Sequence, residues 1–200
     1  MLERVPEGAS VLDVGCWSGS AGRFLIEHRN ATIDGIEPDE GMASLARHSY
    51  RRVFVGSFED FLTEGQGSYD RLLFLDVLEH LPNPIEPLRR SKQLLNNGGR
   101  ALVSIPNVAH WSIRKELLLG RWRYEDTGLL DRSHMRFFTL DSAAELLIDA
   151  GWEISWESVS LGQPPLIALP QRWLTVLKRW SSLFAVQALF EIQPTFGPYG

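Results

Sequence analysis

Cysteine is nearly absent from this sequence, and the single one that occurs, Cys16, has no partner. A lone thiol excludes an internal disulfide and cannot by itself form a zinc site. So little cysteine is typical of proteins that work in a reducing compartment, so we predict a cytoplasmic protein. The first ten residues, MLERVPEGAS, also lack the apolar stretch of a signal peptide.

Long apolar runs and an excess of positive charge are missing as well. No run approaches the roughly 20 apolar residues that a membrane-spanning helix needs, so no membrane span is expected. The formal net charge of -5 argues against a nucleic-acid partner bound by neutralisation of its phosphates. The remaining composition, 44% hydrophobic and 22% charged in 200 residues, is ordinary for a globular protein, and we predict a single domain over residues 1–200.

The stretch VLDVGCWSGSAG, from Val11 to Gly22, organises the rest of the chain. Its first residues predict a buried strand, Gly15 and Gly19 allow a sharp turn, and a helix is expected to start near Ser20. A strand, a glycine turn and a helix N-terminus place free backbone N–H groups beside an open cleft. This arrangement suits a nucleotide-like or carboxylate-bearing ligand.

An acidic residue follows the second predicted strand, which covers residues 31–36 and is ended by Pro38. Glu37 lies about 20 residues beyond the glycine turn, where a carboxylate can accept both ribose hydroxyls of a nucleoside. The alternative is a solvated loop carboxylate. We favour the ribose interpretation on the position of Glu37.

A third short strand over residues 52–55 is followed by GSFEDFL, which we interpret as the start of a loop. Phe58 could lie against a flat base there while Ser57 or Glu59 binds an exocyclic amine. Phe58 could equally be a residue of the hydrophobic core. Both interpretations stay open.

The apolar run YDRLLFL, residues 69–75, predicts a central strand that is followed by DVLEHLPNP. Asp76 should point into the same cleft as Glu37, because parallel strands present their carboxyl ends to one crevice. Glu79 and His80 come next, but two adjacent ligands are no evidence for a metal, and we predict none. A helix from Asn83 to Leu95, a turn at residues 96–99 and a fifth strand, ALVSIP, complete this part.

Five strands that alternate with helices predict a doubly wound α/β fold with a parallel sheet. Residues 107–138 interrupt the alternation, with one helical piece near residues 113–119. A long insertion after the carboxyl end of a strand lies over the crevice, so we predict a substrate lid. Its histidines, His110 and His134, could transfer a proton or simply order the loop. Its aromatic and arginine side chains could bind a ring and an anionic group or tie down the loop; they are Trp111, Trp122, Tyr124, Arg121, Arg123, Arg132 and Arg136.

The C-terminal part is less regular. A helix capped by Thr139 or Asp141 and a sixth strand, WEISWESVS, precede a loop over residues 163–170. A helix over 171–180 and a last strand over 182–192 then complete the predicted elements, so 163–192 is interpreted as a C-terminal helix plus last strand. The apolar face of residues 171–190 could touch a membrane surface, or pack on the sheet or on a partner subunit.

The ordered set DVGCWSG, GIEPDEG, GSFEDF, DVLEHLPNP and NGGRALVSIPN resembles the class I S-adenosylmethionine-dependent methyltransferases over about residues 8–160. The resemblance implies a seven-stranded, mostly parallel, Rossmann-like sheet whose last strand is antiparallel. The later segments PNVAHW and DRSHMRFFT are similar to small-molecule methyltransferases such as the ubiquinone-pathway O-methyltransferases. That branch implies a small-molecule acceptor.

The resemblance also implies a set of cofactor-binding residues. By this resemblance, the glycine turn binds the methionine part of the cofactor and Glu37 binds its ribose. Ser57 and Phe58 contact the adenine, and Asp76 binds the methionine end. Two positions depart from the family pattern: Trp17 stands where a glycine is usual, and Ser57 where an acid is frequent. The implied set is Asp13, Gly15, Cys16, Trp17, Gly19, Glu37, Pro38, Ser57, Phe58, Glu59, Leu75 and Asp76.

The predicted function is methyl transfer from S-adenosylmethionine to a small-molecule acceptor, through a hydroxyl oxygen, with S-adenosylhomocysteine as product. His134 is the first candidate for the base, followed by His80 and His110. A nicotinamide dehydrogenase is disfavoured because Trp17 occupies the second glycine position of G-x-G-x-x-G. The alternative is a non-catalytic methyltransferase-like domain that binds a partner. Only about ten residues precede the first strand, so we also predict a shallow site, or one completed by a second copy in a homodimer.

Overall fold

The computed structural model describes residues 1–64, 67–161 and 181–195. Seven strands form one sheet in the spatial order β3-β2-β1-β4-β5-β7-β6. All neighbouring pairs are parallel except β5 with β7 and β6 with β7, so the predicted mostly parallel sheet with an antiparallel last strand is confirmed. The strands are β1 (Ser10–Val14), β2 (Thr32–Glu37), β3 (Arg52–Val55), β4 (Tyr69–Leu75), β5 (Leu95–Pro106), β6 (Trp152–Ser160) and β7 (Gln187–Pro194).

Helices connect the parallel strands and cover the sheet. Helix α1 begins at Ser20, as predicted, and Thr139 caps α6 through its side chain, which accepts from the backbone N–H of Ser142. Short 3-10 helices cover Leu2–Arg4, Leu78–His80 and Lys92–Leu94. The α-helices are α1 (Ser20–Arg29), α2 (Glu40–Ala46), α3 (Phe58–Glu64), α4 (Ile85–Ser91), α5 (Trp111–Leu118), α6 (Leu140–Asp149) and α7 (Ser181–Phe184).

Alternate residues of the central strands pack into two separate cores. On β4, Leu72 and Phe74 belong to one hydrophobic cluster and Leu73 to the other. Because successive side chains of a strand point to opposite faces, both faces of the sheet are buried. This is the doubly wound arrangement that the alternation of strands and helices predicts.

The predicted boundaries around β5 were wrong. Helix α4 ends at Ser91, and β5 begins at Leu95, so residues 96–99 lie within the strand and do not form a separate turn. Leu95 pairs with Tyr69, and the register then shifts, which accommodates the extra residues and the positive φ of 77° at Gly98. When only the sequence is read, an irregular start of a strand looks the same as a turn between a helix and a strand.

The last strand was also predicted too early in the chain. A short helix, α7, occupies part of the predicted 182–192 strand, and β7 runs from Gln187 to Pro194. The predicted loop over 163–170, the helix over 171–180 and much of the 171–190 surface lie outside the described residues. Across the described ranges, no helix is both long and apolar enough to cross a membrane.

The insertion over residues 107–138 begins and ends at the carboxyl edge of β5. Asn107 is fully buried, and its side-chain amide donates 2.8 Å hydrogen bonds to the carbonyls of Ser182 and Ala185. The backbone N–H of Val108 donates to the carbonyl of Phe138, so the two ends lie side by side. The insertion is thus anchored beside the carboxyl ends of the parallel strands.

Candidate functional site

A cavity of about 420 Å³ lies at the carboxyl ends of β1, β2 and β4. Its volume is within the range of about 300–1,000 Å³ typical of small-molecule sites. Asp13, Cys16, Gly19 and Leu75 are predicted site residues that are not on its wall. Those that line it are Gly15, Trp17, Glu37, Pro38, Ser57, Phe58, Glu59 and Asp76.

The glycine turn brings backbone directly against the cavity. Gly15 has a φ of 66°, and a Cβ atom there would lie 2.8 Å from Cγ2 of Val77. Trp17 also has a positive φ, 49°, and its side chain is 61% exposed. Trp17 therefore lines the cavity while more than half of its surface stays exposed to solvent.

The carboxylate of Glu37 is fixed by two backbone donors. The N–H of Trp17 donates to Oε2 at 2.8 Å, and the N–H of Asp39 donates to Oε1 at 2.9 Å. Glu37 is buried, yet each oxygen keeps a further lone pair that can accept from a ligand. The Glu37 carboxylate therefore has a fixed orientation beside the cavity and can still accept hydrogen bonds from two hydroxyl groups.

Tyr50, a residue that the sequence analysis missed, lies beneath the turn. Its hydroxyl donates to Oδ2 of Asp13 at 2.6 Å and accepts from the N–H of Gly22 at 3.0 Å. A Cβ atom at Gly22 would lie 2.2 Å from the Tyr50 ring, and one at Gly19 would lie 3.0 Å from it. These two glycines therefore make room for Tyr50 and do not face the cavity.

Burial beneath the turn changes the acidity of two groups. It raises the pKa of Asp13 to about 7 and that of the Cys16 thiol to about 12. The nearby Glu37 carboxylate also raises both. Cys16 is therefore a protonated, buried thiol at neutral pH.

The segment after β3 was predicted as a loop, and it is the first turn of α3. Ser57 and Asp60 cap this helix reciprocally: the Ser57 Oγ accepts from the Asp60 N–H at 3.1 Å, and an Asp60 oxygen accepts from the Ser57 N–H at 3.2 Å. Phe58 is buried with its ring edge-on to Phe74 and also lines the cavity. The two interpretations of Phe58 are thus compatible.

Asp76 is held at the carboxyl end of β4 with a φ of 54°. The Ser104 hydroxyl donates to Oδ1 at 3.0 Å, and the Gln187 amide donates to Oδ2 at 2.6 Å. Desolvation raises the pKa of Asp76, and these hydrogen bonds oppose the increase. Gln187 is the first residue of β7, so its position depends on the last strand.

Two histidines from distant parts of the chain meet at the rim of the cavity. His80 lines the cavity, and its ring centroid lies 4.9 Å from that of His134. Nδ1 of His80 lies 3.3 Å from the carbonyl of Ser133, which also lines the cavity. Burial lowers the pKa of His134, which favours a neutral ring.

Glu79 lies between these histidines and the protein interior. Its side chain is 1% exposed, and Oε1 lies 3.9 Å from Nε2 of His134. Burial raises the pKa of Glu79 to about 8. No motif in the sequence indicates this buried carboxylate beside His134.

His110 has a different environment. It is the N-cap of α5, and Nδ1 is 2.8 Å from the Ser112 hydroxyl. It is not on the cavity wall. The structure therefore places two of the three predicted histidines together and the third at a helix terminus.

A crevice at the carboxyl ends of parallel strands, with a glycine turn and an acid after β2, defines a nucleoside-binding α/β protein. The family model of the Methyltransferase domain matches residues 1–155. The chain belongs to this family, within the class I S-adenosylmethionine-dependent methyltransferases. The cofactor of this class is S-adenosylmethionine.

Relatives of known name match about half of the chain. A ubiquinone biosynthesis O-methyltransferase of Xanthomonas axonopodis pv. citri is 34% identical over 111 residues, 51% of this chain and 45% of that protein. One from Pseudomonas paraeruginosa is 31% identical over 109 residues, 50% of this chain and 45% of that protein. The chain spans about half the length of the curated relatives it matches.

Solved structures share the fold at low sequence identity. A SAM-dependent methyltransferase from Archaeoglobus fulgidus superposes with a TM-score of 0.64 and 16% identity, covering 93% of this chain and 86% of that one. The plantazolicin methyltransferase BpumL, solved in complex with SAH, superposes with a TM-score of 0.65 and 19% sequence identity. The match covers 96% of this chain and 78% of that one. These likenesses support the fold assignment.

Proposed function

We propose that the protein binds S-adenosylmethionine in this cavity and transfers its methyl group to a hydroxyl oxygen of a small molecule. The main support for the proposal is the Glu37 carboxylate. Two backbone N–H groups fix its orientation, and it lines the cavity at the carboxyl ends of the strands. A carboxylate in this position suits the two hydroxyls of a ribose. The O-methyltransferase names of the curated relatives support oxygen as the acceptor atom.

The other cavity residues suggest how the rest of the cofactor would lie. Gly15 allows the methionine part to approach the backbone, and Asp76 is available to its ammonium group. Phe58 offers an aromatic surface to the adenine, with Ser57 and Glu59 beside it. Asp13, Cys16, Gly19 and Leu75 would then act from behind the cavity wall by supporting the turn and the strand ends.

The reaction is a direct displacement in which the acceptor oxygen attacks the sulfonium methyl carbon and the C–S bond breaks. Holding both reactants at attacking distance supplies most of the acceleration. We assign activation of the hydroxyl to the rim pair, His134 and His80, because His80 lines the cavity and His134 lies against it. His110, as a helix cap, is assigned the ordering of the insertion.

Isothermal calorimetry with S-adenosylhomocysteine tests the binding half of the proposal. We expect one site per chain with a micromolar Kd. A screen of hydroxylated small molecules for S-adenosylhomocysteine release tests the transfer half, and His134→Ala should then keep the ligand affinity and lose turnover. No binding at millimolar ligand would refute the proposed methyltransferase activity and favour the alternative, a non-catalytic domain that binds a partner.

We propose the cytoplasm as the setting of the reaction. The single cysteine, Cys16, suits a reducing cytoplasm. The lid role of residues 107–138, the homodimer and the membrane contact through residues 171–190 stay predictions. Sedimentation of the protein with and without lipid vesicles measures the last two.

A further inference from the structure

We propose that Glu79, His80 and His134 bind a divalent transition-metal ion at the rim of the cavity. One donor atom from each side chain lies within 4.8 Å of the other two. Two imidazoles and one carboxylate are a common ligand set for zinc and for other first-row divalent ions. The sequence shows Glu79 and His80 as neighbours only, and folding of the insertion supplies the third ligand.

The carboxyl group of Glu79 is the independent observation that points to a ligand. It is 1% exposed, and no donor among the described residues forms a hydrogen bond with either of its oxygens. Buried carboxylates in proteins are normally hydrogen-bonded, paired or bound to a metal. Nε2 of His134 lies 3.9 Å from Oε1 of Glu79, beyond hydrogen-bonding distance.

His80 is oriented as metal-binding histidines usually are. The Ser133 carbonyl can only accept, so Nδ1 of His80 donates to it and Nε2 keeps the lone pair that binds a metal. The Glu79 carbonyl accepts from the N–H groups of Met135 and Arg136 at 2.9 and 3.0 Å, which anchors the chain beside His134.

Only a small adjustment would bring the donors to bonding distance. With metal–ligand bonds of about 2.1 Å, tetrahedral donors are about 3.4 Å apart. The Glu79 and His134 donors are 3.9 Å apart and would have to close by about half an ångström. The pairs that include His80, which lie within 4.8 Å, would close by at most about 1.4 Å. Side-chain rotation alone can supply a change of that size.

The position of the ion gives it a role in the transfer, a step that rests on the proposed function. Three protein donors leave coordination positions open, and His80 and Ser133 face the cavity. An acceptor hydroxyl bound to the ion loses its proton to solvent more readily. The oxygen then attacks the methyl carbon, and the electron pair of the broken C–S bond stays on sulfur. Acceptors with a second oxygen beside the hydroxyl would fill a further position and be preferred.

The test is a titration of the chelator-treated full chain with Co²⁺, followed by visible d–d absorption and by calorimetry. We expect one ion per chain, and a Kd raised at least tenfold in each of Glu79→Gln, His80→Ala and His134→Ala. The control His48→Ala removes an exposed histidine from the turn after α2, and its Kd should stay within twofold of the parent value. Circular dichroism identifies any variant that fails to fold.

Proton NMR of the wild-type Co²⁺ protein needs no variant and should show hyperfine-shifted ring protons from two imidazoles. No Co²⁺ uptake at millimolar metal, or an unchanged Kd in all three variants, would overturn the proposal. Calorimetry with S-adenosylhomocysteine on the metal-free chain tests the cofactor site independently of the metal site. Nucleoside binding without metal uptake refutes the metal site alone, and metal uptake without nucleoside binding refutes the cofactor assignment alone.

Discussion

The phenol of Tyr50 and the carboxyl of Asp13 form a buried 2.6 Å hydrogen bond directly beneath the glycine turn. The bond joins the end of β1 to the segment between α2 and β3, and the same phenol oxygen accepts from the N–H of Gly22 in α1. Three parts of the chain, β1, α1 and the segment between α2 and β3, therefore meet at one hydroxyl. The shape of the turn depends on a residue that does not itself reach the cavity.

Tyr50→Phe should lower the free energy of unfolding by about 1–3 kcal/mol, because it leaves a buried acceptor on Asp13 and a buried donor on Gly22 without their partner. Urea denaturation measures the change. Tyr124→Phe removes an equivalent hydroxyl from a side chain that is 53% exposed, and it should have little effect. Equal effects of the two substitutions would show that the buried bond contributes nothing.

Asp13→Asn should remove a component of the pH dependence of stability. Burial, the main cause, raises the Asp13 pKa from 3.8 to about 7 in the folded protein. The folded state therefore binds more protons than the unfolded state between these values, and the stability of the parent falls as the pH rises through this range. Relative to Asp13→Asn, whose amide oxygen still accepts from Tyr50, the parent should lose about 2 kcal/mol between pH 5 and pH 7. Parallel stability curves for the two proteins would contradict this.

Gly15→Ala should be more harmful than Gly8→Ala, although both glycines have a similar positive φ, 66° and 71°. The added methyl group meets nothing within 4 Å at Gly8 but lies 2.8 Å from Val77 at Gly15. Gly8→Ala should thus cost about 1 kcal/mol from backbone strain alone. Gly15→Ala should cost more and weaken S-adenosylhomocysteine binding. Thermal denaturation and calorimetry measure both effects.

A double-mutant cycle isolates the clash from the strain. In a Val77→Ala background, Gly15→Ala should cost about as much as Gly8→Ala does in the parent. If the cost of Gly15→Ala is the same with and without the Val77 methyl groups, the close approach to Val77 is not the reason for glycine at this position.

Local sequence patterns predicted the parts of the site that follow directly from strand order. Gly15 and Glu37 could be placed because each comes just after an apolar run, and parallel strands present these ends to one crevice. Tyr50 could not, because it follows a short helix in the polar segment RHSYRR, and no local pattern marks a side chain that fills space beside glycines.

The rim of the cavity depended on tertiary contacts. His134 reaches His80 because the insertion folds back on the 3-10 helix after β4, where its backbone donates to Glu79. The burial of the Glu79 carboxylate has no signature in DVLEH, which reads equally well as an exposed turn. The helix before β5 was predicted to end too late and the strand to start too late, because the register shift at the start of β5 has no signature in the sequence of a single strand.

Trp17→Phe should reduce the fluorescence response to ligand with little loss of affinity. The indole is 61% exposed on the cavity wall, so an adenosyl group bound there should alter its emission. The contact from residue 17 to Glu37 uses the backbone N–H and survives the substitution. Titration with S-adenosylhomocysteine should give a signal in the parent and in Trp111→Phe, and a much smaller one in Trp17→Phe. An unchanged signal in Trp17→Phe would place the ligand elsewhere.

Glu37→Gln should weaken S-adenosylhomocysteine binding at least tenfold, or about 1.4 kcal/mol, in calorimetry. Both carboxyl oxygens of Glu37 accept from backbone N–H groups, so the amide must turn its own N–H₂ toward one of these donors. That repulsion shifts the side chain, and one acceptor for the ribose hydroxyls is lost in any orientation. Glu27→Gln, on the exposed face of α1, makes the same chemical change away from the cavity and should leave the Kd unchanged. A Glu37→Gln protein that is folded and binds as tightly as the Glu27→Gln control would remove the ribose role from Glu37, and with it the main support for the proposed cofactor orientation.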